Sequence, residues 1–261
     1  RQIAGGRGNR LSPLFMVTFI PNMAAYHVSY TFGAKGYSTT ICTACAAGTQ
    51  AVGEAAAVIR RHADAVHTVE AKGTNDFVTE ADTAAQEAIV EVLHRAFPDD
   101  TILAEEQART EDITASCAGR RWIIDPIDGT TNFMHGIPPY AVSIALQHND
   151  VLAAGVVLDV PHAKLYAAVR GQGATCNGAP MTVNESANLQ DVVLATGFPY
   201  RRFSHLETYI GVLKTILPKV RGVRRHGAAA IDLVRVAEGS FGAFYETGLS
   251  PWDVAAGALI A

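Results

Sequence analysis

The sequence predicts an α/β fold in which short buried strands alternate with helices. The apolar run 122–124 is typical of a buried strand, and Asp125 follows it directly. Apolar residues recur at helical spacing over 83–96, which predicts a helix with one buried face. Between them, 101–104 is predicted to be a strand that ends at Glu105. Strands that end in acidic residues and helices that follow them indicate a layered α/β domain.

Other stretches predict the remaining elements in order. Before residue 66 we expect a strand over 14–20, a helix opening at Pro21, a β-rich run from 32 to a small-residue turn at Cys45, and an Ala-rich helix over 51–65. Beyond residue 138 we expect strands over 140–147, 151–159 and 163–169, a Gly-rich hairpin over 171–178, a helix ending at Ala237 and a last helix opening at Asp253.

Length and composition limit the function classes. The 261 residues suffice for one large domain or two modest ones, and 49% hydrophobic with 18% charged residues is a globular composition. A net charge of −4 argues against a general nucleic-acid binder. Four scattered cysteines predict free thiols in a reducing compartment, so we expect a cytoplasmic protein. We find no membrane-spanning apolar run and no signal-peptide pattern, and expect no membrane partner.

The stretch 122–133 carries the clearest chemistry. Asp125 and Asp128 supply two carboxylates that we expect on one side of the chain, and Pro126 is expected to end the strand because it has no N–H for the ladder. Gly129 permits a sharp turn, and Thr130 places a hydroxyl beyond it. Oxygen donors of this kind suit Mg²⁺ or Ca²⁺ better than zinc, although a solvated Asp-Gly turn is the plainer interpretation.

The same stretch resembles the signature of the inositol monophosphatase family of Mg²⁺-dependent phosphomonoesterases. Residues 125–133 (DPIDGTTNF) carry the resemblance, and the other family stretches follow the expected order. They are 72–82 (KGTNDFVTEAD), the acidic pair Glu105-Glu106 and 251–257 (PWDVAAG). The resemblance covers roughly residues 66–261 and implies a layered α-β-α-β-α sandwich, a small phosphomonoester as substrate, and a homodimer.

The resemblance also implies a two-metal reaction on this chain. One Mg²⁺ is assigned to Glu105, Asp125 and the carbonyl of Ile127, and the other to Asp125, Asp128 and Asp253. A water oriented by Glu105 and Thr130 would attack phosphorus in line.

Further residues receive supporting roles from the resemblance. Backbone N–H groups at Gly129 and Thr130 would bind phosphate oxygens, and Asp82 would support the water network. Ala229 lies in a turn that approaches the sugar ring in the family, and Glu246 would orient substrate hydroxyls. The family normally continues about forty residues beyond Ala261, so a C-terminally shortened domain is expected.

Residues 1–65 resemble a different family, the β-ketoacyl-[acyl-carrier-protein] synthases. The stretch 43–61 (TACAAGTQAVGEAAAVIRR) is similar to the region around their active-site cysteine, which would make Cys45 an acyl-accepting nucleophile. The histidines and lysine that those enzymes need do not follow. The sequence therefore predicts a synthase-like fragment over 1–65 joined within 53–64 to the phosphatase domain.

Three functions remain open on the sequence. The favoured one is Mg²⁺-dependent hydrolysis of myo-inositol 1-phosphate, and relatives that cleave other phosphomonoesters have the same signature. The second is acyl transfer through Cys45, which could also be an ordinary buried cysteine. The third is a non-catalytic chimeric fragment.

Overall fold

The computed structural model describes residues 37–63, 69–73, 76–200 and 203–261. The chain divides into two compact units, residues 1–46 and 47–261. In the first unit the described residues, 37–46, are helical. The strand predicted over 14–20 and the helix predicted at Pro21 lie outside the described residues.

The predicted helices within the described residues appear with one exception, and three further helices, 110–114, 130–134 and 206–216, were not predicted. Their bounds are α1 Tyr37–His62, α2 Glu80–Ala96, α3 Thr110–Thr114, α4 Thr130–Met134, α5 Leu206–Ile216, α6 Ala229–Ala237 and α7 Pro251–Ile260. The exception is α1, because residues 37–45 were expected to form a β-rich run and a turn. Cys45 instead lies inside a helix that begins at Tyr37. Small and Ala-rich residues favour continuing the helix, and local β-propensity does not prevail here.

The strands group into three sheets. Their bounds are β1 Val69–Gly73, β2 Asp76–Thr79, β3 Thr101–Ala104, β4 Arg120–Asp128, β5 Ala141–His148, β6 Val151–Asp159, β7 Lys164–Val169, β8 Ala174–Cys176, β9 Ala179–Pro180, β10 Val193–Thr196, β11 Gly222–Arg224 and β12 Ala243–Tyr245. Strands β1 and β2 form an antiparallel pair, and β3 to β9 form a seven-stranded sheet in sequence order. In that sheet β3 and β4 are parallel and the later neighbours antiparallel.

Helices cover both faces of the seven-stranded sheet. On one face α1 comes so close that a Cβ on Gly48 would lie 3.4 Å from Val156 and 3.8 Å from Trp122. On the other face α7 crosses β6, where a Cβ on Gly155 would lie 3.1 Å from the backbone of Ala256. Apolar residues of β3 to β7, α6 and α7 form one buried core that includes Ile123 and fixes the position of α6 and α7.

The third sheet forms a further layer. Its order is β11-β10-β12, and all its strands are parallel. Helix α5 packs on it, since the hydroxyl oxygens of Thr196 in β10 and Tyr209 in α5 are 2.9 Å apart. The result is a mixed α/β sandwich, as the sequence predicts. Among the described helices, none has the length and apolarity to cross a membrane.

Candidate active site

The end of β4 carries two of the predicted acids. The strand continues through Pro126 to Asp128, so the prediction that it ends at Pro126 is wrong. Asp125 lies opposite Ser143 and Asp128 opposite Ala141, with a shift of register between them. Both carboxylates are expected on one side of the chain, yet residues three positions apart on a regular strand point to opposite faces. The bulge inserts one residue, accommodates the proline, and returns both to the same face.

Asp125 lies at the centre of a cluster of negative charge. The residue is 2% exposed, and its Oδ1 atom has no hydrogen-bond partner among the described residues. Burial raises the pKa of Asp125 well above its ordinary value, and four acids raise it further: Glu105, Asp128, Asp253 and Asp82. The structure therefore brings together five of the carboxylates that the sequence singled out.

Two of these acids reach Asp125 through neighbouring elements. Strand β3 is parallel to β4, and the N–H of Glu105 donates to the carbonyl of Ile124 at 3.1 Å. Glu105 therefore follows the carboxyl end of β3, next to Asp125 on β4. Asp253 comes from the first turn of α7, where the hydroxyl of Ser143 donates to the carbonyl of Trp252 at 3.3 Å. Ser143 is the cross-strand neighbour of Asp125, so this contact places the start of α7 above the acid cluster.

Asp128 faces the start of α6. Its two carboxylate oxygens accept from the N–H groups of Ala229 and Ala230 at 3.0 and 2.8 Å. Burial raises the pKa of Asp128, Asp253 raises it further, and the two backbone hydrogen bonds oppose this shift. The N–H of Ala229 therefore already donates a hydrogen bond to the carboxylate of Asp128.

Asp82 has a structural role as well as a place in the cluster. It is the third residue of α2, and its Oδ2 accepts from the N–H and hydroxyl of Thr79 at 2.8 and 2.6 Å in a capping box. Its Oδ1 lies 3.1 Å from the hydroxyl of Thr130, which also lies 3.2 Å from the carbonyl of Ile127. Asp82 thereby orients the hydroxyl that the sequence assigned to catalysis.

The turn after β4 is tightly enclosed. Gly129 has a φ of 92°, and a Cβ there would lie 3.1 Å from the carbonyl oxygen of Gly227. Only glycine fits this conformation without strain. Asn132, which the sequence analysis did not single out, is 7% exposed and donates to the carbonyls of Pro139 and His226 at 2.8 and 2.7 Å. No local pattern marks it, since its partners lie in segments that only the fold brings close.

The donor set fits a hard cation in charge and chemistry. The supporting observation is the buried, unpartnered Oδ1 of Asp125 among four other acids, because a positive ion would compensate charge that burial alone leaves unfavourable. In the described part of the chain, no three acidic, histidine or cysteine side chains already stand at the separations of a complete ion site. Asp82, Asp128 and Asp253 instead accept hydrogen bonds from protein N–H groups.

Two other predicted residues belong to other elements of the fold. Glu246 follows β12, and its carboxylate lies so close to Gly197 that a Cβ there would collide with it. The alternative nucleophile Cys45 is the ninth residue of α1, so it lies inside a helix and not at the small-residue turn that the sequence predicts. The free cysteines among residues with described side chains are Cys117 and Cys176.

Comparison with known proteins identifies the family. The model of the Inositol monophosphatase family matches residues 40–261. This chain belongs to the inositol monophosphatase family. The match begins ahead of the predicted residue 66 and takes in Cys45, so 40–65 resembles this family and the synthase-like fragment receives no support. The predicted division into two domains stays a prediction.

Relatives within the inositol monophosphatase family cover most of the chain. "Nus factor SuhB" of Pseudomonas aeruginosa is 43% identical over 197 residues, 75% of this chain and 72% of that protein. "Nus factor SuhB" of Escherichia coli is 38% identical over 213 residues, 81% and 79% of the two chains.

Solved structures agree with the fold. The extragenic suppressor protein suhB of Bartonella henselae has a TM-score of 0.76 and 38% identity, covering 82% of each chain. The inositol monophosphatase of Anabaena has a TM-score of 0.71 and 34% identity, covering 84% of this chain and 80% of that one. Membership supports phosphatase chemistry on a small-molecule substrate, and Mg²⁺ is the metal that the family generally uses.

Proposed function

We propose that this protein is a Mg²⁺-dependent phosphomonoesterase that hydrolyses myo-inositol 1-phosphate or a related polyol phosphate. The observation that carries the proposal is the buried Asp125, which has an unpartnered oxygen and four acids around it. Such a concentration of carboxylates at one edge is costly unless cations neutralise it, and it is typical of sites for phosphoryl chemistry.

The residues divide into two ion-holding sets. Glu105, Asp125 and the Ile127 carbonyl would hold one Mg²⁺. Asp125, Asp128 and Asp253 would hold a second. Bound ions would supply Lewis-acid stabilisation of the charge on the phosphoryl oxygens and a lowered pKa for water.

The chain's own groups orient the reactants. The Thr130 hydroxyl can donate its proton to Asp82, and its oxygen then accepts from the attacking water. Glu105 takes up the proton as a general base. The N–H groups of Gly129 and Thr130, at the start of α4, have no partner within that helix and would bind phosphate oxygens. Glu246 would accept hydrogen bonds from the hydroxyls of the polyol.

The test is release of inorganic phosphate from myo-inositol 1-phosphate by the 261-residue protein, with Mg²⁺ or with a chelator. Asp125→Asn removes the charge at the centre of the cluster, and Asp99→Asn removes one from an exposed turn between α2 and β3. We expect release that needs Mg²⁺, is lost in Asp125→Asn and is unchanged in Asp99→Asn. Release that persists in Asp125→Asn would contradict the proposed site.

The substrate is the finer part of the proposal. Fructose 1,6-bisphosphate, histidinol phosphate and adenosine 3′,5′-bisphosphate are substrates to compare under the same conditions. A kcat/KM highest for one of these would keep the phosphatase chemistry and replace inositol phosphate as the substrate. The name Nus factor, which the two relatives described above carry, mentions no phosphate ester. Only the assay can therefore decide between these substrates.

A further inference from the structure

A second hydrogen-bond network lies behind the Gly129 turn and centres on His226. Its Nδ1 is 2.7 Å from Oδ1 of Asp232, and its Nε2 is 3.3 Å from Nη1 of Arg235. The ring stacks on Phe241 with centroids 5.4 Å apart and planes 19° apart. The side chains of His226 and Asp232 are 20% and 1% exposed, so the pair is largely shielded from water.

The partners determine the protonation of this imidazole. A guanidinium has only donors, so Nε2 of His226 must accept from Arg235 through its lone pair. The ring proton therefore lies on Nδ1 and is donated to the carboxylate of Asp232. This assignment makes the imidazole neutral, with one tautomer and one ring orientation held from both sides.

The backbone next to this ring touches the proposed phosphate site. The carbonyl of His226 accepts from Asn132 at 2.7 Å, and Asn132 belongs to the short helix that follows Gly129. The carbonyl oxygen of Gly227 lies 3.1 Å from the position of a Cβ on Gly129. Ala229, two residues after Gly227, and Ala230 donate their N–H groups to Asp128. Residues 226–230 thus touch both the turn and one of the acids.

This segment needs an anchor outside itself. Gly227 has a φ of 84°, in a region that glycine enters freely but from which it can also leave, because it has no side chain to restrict it. The ring of His226 is held between Asp232 and Arg235, an arrangement that we call the His226 clamp. It fixes the chain one residue before this glycine. Asp232 and Arg235 belong to α6, so the clamp ties the turn to the same helix whose start holds Asp128.

We propose that His226 is a positioning residue of the phosphatase site, which fixes the backbone of 226–230 and thereby the Gly129 turn and the N–H pair on Asp128. The proposal rests on the proposed function for its catalytic consequence. Its structural part stands on the contacts alone.

The test compares substitutions of two His–Asp pairs in the 261-residue protein. His226→Ala removes the clamp, and His226→Asn keeps a donor where Nδ1 stood. The control is His162→Ala, because His162 Nδ1 lies 2.8 Å from the buried Asp159 in the turn between β6 and β7. Strand β5 lies between Asp159 and Asp128, so this control removes a similar pair that is not part of the 226–230 segment.

We expect His226→Ala to lower kcat/KM about 10- to 100-fold and to raise the inhibition constant of inorganic phosphate about tenfold, because small displacements of a reacting geometry cost this much. His226→Asn should recover activity to within about threefold, and His162→Ala should match the wild type. Partial unfolding would lower kcat and leave the phosphate inhibition constant unchanged, so that constant separates positioning from stability.

Nuclear magnetic resonance tests the inference without activity. We expect ¹⁵N shifts of a neutral imidazole with its proton on Nδ1 for His226, and faster amide exchange at Ala229 and Ala230 in His226→Ala but not in His162→Ala. If the wild type releases no phosphate, the proposed function fails and the exchange rates alone decide the inference. If the wild type is active while His226→Ala keeps its exchange rates and phosphate inhibition constant, the positioning role is overturned and the function stands.

Discussion

The acids of the site are held in two different ways. Asp125 lies on a strand, with one oxygen that finds no hydrogen bond among the described residues. Asp82 and Asp253 lie in the first turns of helices, where each accepts the N–H of the residue before the helix in a capping box. The helical acids therefore stabilise the fold and face the site, whereas the charge of the strand acid is an electrostatic cost that a cation or protonation offsets. Without a cation, removing the charge of Asp125 should therefore stabilise the fold, whereas removing the carboxylate of Asp253 should destabilise it.

The largest expected effect is that of Asp125→Asn. We expect phosphate release to fall at least about 10³-fold, since losing about 4 kcal/mol of charge stabilisation raises the barrier by that amount and each 1.36 kcal/mol slows the rate about tenfold. In the presence of a chelator at pH 8 the same variant should unfold at a higher temperature, because a neutral amide avoids burying a carboxylate among acids. Thermal unfolding followed by circular dichroism measures this. A lowered melting temperature would show that the charge of Asp125 does not destabilise the fold.

Asp253→Ala should reduce both activity and stability. The N–H of Ser250 donates to Asp253 at 2.6 Å, and losing a cap costs about 0.5–2 kcal/mol. Asp253→Asn is the matched variant, since its amide oxygen can still accept this hydrogen bond. We expect both to lose phosphate release, and Asn to keep most of the stability that Ala loses in urea unfolding. Equal destabilisation of the two would show that the cap contributes little.

Gly129→Ala tests the turn between the strand acids and α4. The new Cβ would have a φ of 92° and lie 3.1 Å from the Gly227 carbonyl, so we expect about 1–3 kcal/mol of destabilisation and a loss of activity. Gly171→Ala is the control, with a φ of 76° and open space around its Cβ. The difference between the free energies of unfolding of the two variants, measured in urea, isolates the cost of crowding at the site. No difference would show that the turn can relax.

A smaller effect is the pH dependence of stability in a chelator. Burial raises the pKa values of Asp125 and Asp128 in the folded state, so between the unfolded and folded pKa values the folded protein binds more protons. The free energy of unfolding should therefore decline as pH rises from about 4 through the raised pKa values. Melting temperatures between about pH 4.5 and 8 check this, and the decline should be weaker in Asp125→Asn. Added Mg²⁺ should restore stability at the upper end.

The sequence was a good guide where local patterns dominate. The helix over 83–96 appears as α2, and the strand over 151–159 appears with the same bounds as β6, because apolar periodicity and turn residues act over short distances. The prediction for 37–45 was wrong, since β-branched residues there suggested a strand and the chain continues as helix. A strand's stability depends on pairing partners that a linear pattern does not reveal.

For this protein the sequence by itself determined the family and the mixed α/β sandwich and predicted the acids of the site, because these follow from residue types and their order along the chain. The tertiary structure decided how the acids meet. The bulge turns Asp128 to the face of Asp125, and the contact of Ser143 with Trp252 brings α7 above them. It also decided the burial that raises the pKa of Asp125, and it revealed the clamp on His226. Burial and contacts between distant segments arise only when the sheet and helices pack together, so no local pattern encodes them directly.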